Sequence, residues 1–288
     1  MSHTRTGGFP IGFRRASSDW QQNLTQFTAW ARTHNFSCME LGPDAAAVRH
    51  VVAAGIEVAA VDLPEWQDMI HSDPGRRNEA IARNSVFIRQ CADHVKNFFL
   101  VMLPREPQRD RKENFDDMVE SYTRLMPVLE FHGARIVIEG WPGPGALCCT
   151  PETCRAFLET LDSPAAALNY DPSHLIRMGI DPLRFLREFA GHVGHVHGKD
   201  TELLTENLYE FGCEQPPTFA QPMRFGAAHW RYTIPGQGQM RWTESLRILQ
   251  SAGYRGRICI ELEDDNFNGS KEEEQEGLLL AQRYLEGC

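Results

Sequence analysis

Short runs of apolar and β-branched residues alternate with amphipathic segments along the whole chain. Eight of these runs read as strands: Pro10–Phe13, Cys38–Leu41, Glu57–Asp62, Asn97–Met102, Arg135–Glu139, Ala166–Tyr170, Val193–His197 and Arg257–Glu261. Brief, nearly continuous apolar runs are the signature of parallel strands covered on both faces. Helical periodicity fills the gaps between them. The spacing of Phe115, Met118, Val119, Tyr122, Leu125, Met126 and Leu129 predicts a helix over residues 114–132. Gly133 is expected as its C-cap, and Pro127 is expected to kink or break it. Gly55, Gly191 and Gly253 are expected to end other helices in the same way. Ser18 with Gln21 matches a capping box ahead of Trp20, Leu24, Phe27 and Ala31.

Strand and helix repeated eight times predict an α/β fold, a (β/α)8 barrel forming one domain over residues 1–288. An open doubly wound sheet is the alternative. It is disfavoured because no GxGxxG follows the first strand and no GxxxxGK[ST] occurs. One segment breaks the rhythm. Residues 201–241 separate strand seven from its helix and read as an insertion or lid, since connections longer than about 12–15 residues usually carry function or are disordered. The segment holds Phe211, Phe219, Phe225, Trp230 and Tyr232, which are expected to pack over something.

The chemistry of such barrels sits at the C-terminal ends of the strands. Strands five to eight end in Glu139, Asp171, His197 and Glu261, with His174 three residues beyond Asp171. Any one of these acids alone reads as a cap or a surface residue. Together on one rim they would repel unless a cation sat among them. One imidazole with three carboxylates suits a divalent ion, Mn²⁺ foremost, with Co²⁺, Mg²⁺ or Zn²⁺ also compatible.

Composition narrows the field. The chain has 288 residues with 42% apolar content, enough for a large core, and no apolar run long enough to span a membrane. The start, MSHTRTGGFPIGFRR, lacks the apolar centre of a secretory leader, and eight cysteines without a CxxC pair read as reduced thiols in a cytoplasmic protein. The net charge of −10 argues against a nucleic-acid binder. Much of that charge lies in the last segment, Glu261–Cys288, which carries nine acids and two bases.

At the strand ends the sequence resembles the xylose-isomerase-like barrel family of sugar phosphate isomerases and epimerases. The matching stretches are IVIEGWPGPGA from Ile136, NYDPSHLIRMGIDP from Asn169, GHVHGKDTE from Gly194, WRYTIPGQGQMRW from Trp230 and GYRGRICIELEDD from Gly253. The resemblance implies that Glu139, Asp171, His197 and Glu261 hold one divalent metal and that His174 contacts substrate. The implied activity is epimerisation or isomerisation of a keto-sugar or keto-glycoside through an enediolate, with Glu139 and Glu261 as the acid–base pair. Elimination from the same enolate, as in a lyase or dehydratase acting on a keto-inositol or keto-glycoside, is the alternative.

Further candidates for substrate contact are Lys199, Arg231, Trp141 and Glu65. An ion pair of Lys199 with Asp200 or another rim acid is equally compatible. Trp66 shares the rim after strand three, and Arg105, Arg109, Arg111 and Lys112 read as a solvated charged loop; His192 and His195 read as structural. Apurinic endonucleases share the barrel but would want more histidines and a basic groove. A non-catalytic subunit is argued against by the intact Glu/Asp/His/Glu set. The expected partner is a small carbohydrate, with no nucleic acid and no membrane, and a homo-oligomer is left open.

Overall fold

The computed structural model describes residues 8–288, and the stretch Met1–Gly7 of the leader reading lies outside them. All eight expected strands form: β1 (Ile11–Arg14), β2 (Cys38–Leu41), β3 (Glu57–Asp62), β4 (Asn97–Val101), β5 (Arg135–Glu139), β6 (Ala166–Tyr170), β7 (Val193–Gly198) and β10 (Ile258–Ile260). They close into a parallel barrel in the order β1-β10-β7-β6-β5-β4-β3-β2. The first strand meets the last, with Ile11 opposite Ile258 and Phe13 opposite Ile260. The structure is a (β/α)8 barrel, as expected. Two further strands, β8 (Asp200–Leu203) and β9 (Trp230–Thr233), form a separate antiparallel pair inside the long insertion.

The chain packs as two compact units. One comprises residues up to Cys38, Asp171–Gly191 and His197–Cys288; the other comprises Met39–Tyr170 and His192–Val196. In the second unit Ala60, Phe99, Val137 and Ala167, from four successive strands, form a buried cluster in which alanines make room for the one large ring. In the first, Phe13 packs edge-on against Phe27, Trp30 and Phe36. The eight cysteines are all free thiols, and only Cys213 is exposed. Among the described residues no helix is long and apolar enough to cross a membrane.

Three local expectations change. The helix Arg111–Phe131 runs through Pro127 without a break. Proline costs a helix interior about 3 kcal/mol, but the adjacent Tyr122, Leu125, Met126 and Leu129 are buried, and tertiary packing outweighs the local penalty. Ser18 does not cap its helix. Its hydroxyl donates to Glu274 Oε2 at 2.7 Å, beside Trp20 Nε1 at 2.6 Å and Gln21 Nε2 at 3.0 Å. A carboxylate that is 7% exposed claims every donor in reach. Gly133 ends its helix with φ +58°, whereas Gly191 lies in a 3₁₀ turn, Ala190–His192, without a left-handed backbone.

Gly12 on β1 is required by close approach. A Cβ there would lie 2.2 Å from the Cys38 carbonyl oxygen and 2.4 Å from its Sγ. Gly12→Ala is expected to cost about 1–3 kcal/mol, the usual range for overpacking. Gly42→Ala, which meets nothing within 4 Å, is expected to change stability by less than about 0.5 kcal/mol. Thermal melts of the two variants check both values.

Candidate metal centre

Asp171 follows β6 directly and begins the helix Pro172–Arg177, with Pro172 at the first helical position. Its two oxygens divide two tasks. Oδ1 accepts from Ser173 N at 2.9 Å and Ser173 Oγ at 2.6 Å, which caps the helix. Oδ2 is buried and takes no hydrogen bond of ordinary geometry. Its neighbours are Lys199 Nζ at 3.2 Å, His174 Nε2 at 3.3 Å and His197 Nδ1 at 3.8 Å. His197, on β7, also has Nδ1 3.5 Å from Glu261 Oε2, just beyond β10. Asp171, His174 and Glu261 each present a ligand atom, and these atoms lie within 4.8 Å of one another. Carboxylate oxygens of Asp171 and Glu261 with the His197 imidazole are donors of the kind that suits a divalent first-row ion, and His174 lies beside them.

The insertion supplies the roof of this cluster. β8 and β9 pair with Thr201 opposite Tyr232 and Glu202 opposite Arg231. Alternation along β9 buries Trp230 and Tyr232 and leaves Arg231 on the other face, where it donates to Glu202 at 2.7 Å and to Asp264 at 3.1 Å. Tyr232 Oη lies 2.7 Å from His174 Nδ1. Burial pushes the phenol well above its usual range, so the hydroxyl stays protonated. The Tyr232 ring also lies 4.4 Å from Lys199 Nζ, a cation–π contact. Asp200 anchors the hairpin by accepting from Thr201, Met240 and Gly236 backbone N–H groups. Phe219, at 96% exposed, does not join the packing.

Lys199 is 1% exposed. Its ammonium donates to Glu261 Oε2 and, at 2.9 Å, to Glu263 Oε2, besides facing Asp171. It pairs with these rim acids rather than with Asp200. Burial alone would raise the Asp171 and Glu261 carboxyls. That is the largest single effect at each, but Lys199 acting together with His174 and His197 at Asp171, and with His197 and Arg14 at Glu261, outweighs it and holds both well below the usual carboxylate range. A cleft of about 440 Å³ opens on Glu261 and Glu263, walled by Arg14, Arg15, Arg224 and Phe225.

The remaining sequence candidates lie in the second unit or elsewhere on the first. Glu139 ends β5, is buried, and accepts from Asn169 Nδ2 at 3.0 Å; Asn169 is its register partner and stands two residues before Asp171. Glu65 pairs with Arg83 at 3.1 Å. The Trp141 ring folds over Gly143 in its own loop. Arg105, Arg109 and Lys112 pair with Asp68, Glu113 and Asp116, and Arg111 donates to the Ala146 carbonyl. His195 bonds Glu40 at 3.0 Å inside the second unit. Sequence reasoning passed over Tyr232 as a site residue and did not single out Glu263 or Arg14. The alternation of Trp230, Arg231 and Tyr232 was the available signal for the first.

A closed parallel barrel with acids and imidazoles at its strand ends defines a (β/α)8 protein whose side chains include groups that could hold a metal ion. The chain belongs to the xylose isomerase-like TIM barrel family, whose model matches residues 12–286. An inosose dehydratase of Clostridium tetani is 25% identical over 175 residues, 61% of this chain and 55% of that protein. The chain thus spans about half the length of the curated relatives it matches. Among solved structures, a 3-keto-D-glucoside 4-epimerase from E. coli superposes with a TM-score of 0.71 at 14% identity, covering 97% of this chain and 100% of that one. The IolI protein with a bound zinc atom superposes at 0.63 with 18% identity, covering 96% and 95%. At these identities the two structures establish the shared fold.

Two measurements follow from the cluster. Asp171 and Glu261 titrate lower folded than unfolded, so they stabilise the fold above the ordinary carboxylate range. That contribution is lost as pH falls through about 4 toward the folded values. Urea unfolding of chelator-treated protein at descending pH is expected to show this decline, and Asp171→Asn is expected to show a shallower one. Tyr232→Phe removes one buried hydrogen bond and is expected to cost about 0.5–1.5 kcal/mol, with a change in the ¹⁵N tautomer signal of His174.

Proposed function

We propose that this chain is a divalent-metal-dependent sugar epimerase or isomerase that works through an enediolate on a keto-sugar or keto-glycoside. The observation that carries the reading is the convergence of Asp171, His174, His197 and Glu261, the first three buried and Glu261 partly so. Glu139, Asp171, His197 and Glu261 would hold the ion, with Mn²⁺ the first candidate; the zinc of the IolI structure supports a divalent site in this fold. When bound, the metal would supply Lewis-acid stabilisation of the negative charge that develops on the substrate oxygens.

The chain's own groups account for the proton transfers. Epimerisation removes a proton beside the carbonyl on one face and returns one on the other. Glu139 and Glu261 end strands three places apart in the ring and are assigned as the two carboxylates that do this. His174, held in place by its bond to Tyr232, is assigned to contact a substrate hydroxyl or carbonyl oxygen. Lys199 adds positive charge next to the same oxygens. The cleft that opens on Glu261 and Glu263 has the volume for a molecule of sugar size.

A second reading is elimination of water from the same enolate of a keto-inositol. The likeness to the Clostridium tetani inosose dehydratase favours it. The two readings part after proton removal. Metal-loaded protein in D₂O with keto-glycosides, ketohexoses and keto-inositols is expected to exchange one carbon-bound proton, followed by proton NMR. Retention of every hydroxyl supports epimerisation, and loss of water supports the dehydratase. Glu139→Gln and Glu261→Gln are each expected to slow exchange about 10²–10⁴-fold. If both left it untouched, the acid–base assignment would be wrong.

A further inference from the structure

The feature that the proposed chemistry leaves unexplained is the depth at which Lys199 is buried among acids. A lysine 1% exposed loses most of the hydration of its ammonium and persists only where carboxylates replace that water. Here the replacement is thorough. Nζ faces Asp171 Oδ2 at 3.2 Å and Glu263 Oε2 at 2.9 Å, donates to Glu261 Oε2, and has the Tyr232 ring 4.4 Å away. Asp171 Oδ2 and Glu261 Oε2 also lie 3.8 Å and 3.5 Å from His197 Nδ1. The lysine therefore engages the oxygens that a metal in this cluster would need.

We propose that Lys199 is a built-in cation that competes with the divalent metal: its ammonium holds Asp171 and Glu261 together in the metal-free protein and withdraws from them, keeping Glu263 and the Tyr232 ring, when the metal enters. The inference rests on the metal-binding reading above and adds what sets the affinity of that site. Two facts support the withdrawal. Glu263 lies off the rim proper, two residues beyond Glu261, and its side chain is 35% exposed in the cleft. Tyr232 comes from the inserted hairpin, so the second resting contact for the ammonium is independent of the barrel strands. The competition is reciprocal: whatever factor the lysine takes from metal affinity, the metal takes from the lysine's hold on the two carboxylates. The lysine makes the site weaker for the ion but assembled in its absence.

The test is calorimetric titration of chelator-stripped protein with MnCl₂, and separately with ZnCl₂, with no substrate present. Lys199→Met removes the competitor and is expected to bind Mn²⁺ more tightly, within the roughly 5- to 150-fold range of typical site couplings, while its metal-free form melts lower than the unaltered protein. Glu263→Gln removes the resting place and is expected to weaken Mn²⁺ binding. In the double variant the Glu263 effect is expected to shrink, because no ammonium remains to be rehoused. Equal or weaker binding by Lys199→Met would overturn the proposal, as would a Glu263→Gln loss of the same size with and without Lys199. Should Lys199→Met not fold, Glu263→Gln alone decides: weakened binding supports the proposal and unchanged binding overturns it. If the unaltered protein took up neither metal, the metal-binding reading itself would fail.

Discussion

Three carboxylates, on Asp171, Glu261 and Glu263, meet at one ammonium, and the neighbouring structure is arranged to make that meeting tolerable. Unscreened acids at this depth would repel one another and protonate. Lys199 prevents this from the end of β7, and everything that fixes Lys199 therefore fixes the site. The residue after it, Asp200, ties backbone N–H groups of Thr201 in the hairpin and of Gly236 and Met240 just beyond it. The strand paired with that segment brings Tyr232 over the ammonium and onto His174. The insertion is thus part of the electrostatics of the centre as well as a cover for it.

The division of labour within Asp171 shows how little separates scaffold from chemistry. One oxygen completes a helix and the other faces the cluster. Its orientation is set by the Asp-Pro-Ser segment: proline starts the helix where no N–H is needed, and serine offers both a backbone and a hydroxyl donor to the same oxygen. Local sequence here determines which lone pairs are left for function.

Periodicity made the barrel legible because parallel strands buried on both faces leave a plain apolar signature, and β5 to β7 begin where expected, with β10 one residue later. The strand-end acids were legible for the same reason: Glu139 and Asp171 interrupt or end apolar runs. That Lys199 would pair with a rim acid was legible as one possibility, but the choice of Glu261 and Glu263 over Asp200 was not, since they lie 62 and 64 residues away along the chain. Nor was the bond from His174 to Tyr232, 58 residues on. The capping expectation at Ser18 failed through a still more distant residue, Glu274. In each case a local pattern was overruled by a buried polar group seeking a partner from elsewhere. Pro127 is the apolar counterpart, where packing overrules a local breaker.

The pairing of β1 with β10 has a consequence for how the chain comes off the ribosome. Ile11 is among the first described residues, yet its neighbour across the sheet is Ile258, and the donors at Ser18, Trp20 and Gln21 wait for Glu274. At about 5–20 residues per second of synthesis, one edge of the opening strand stands without its mate for roughly 10–50 seconds. During that interval the nascent barrel is a curved open sheet with a free border, a target for holdases and for the wrong strand of a neighbouring chain. The helix Lys271–Gly287 brings the acceptor for those donors, so the β1–β10 edge and its polar contacts are completed together.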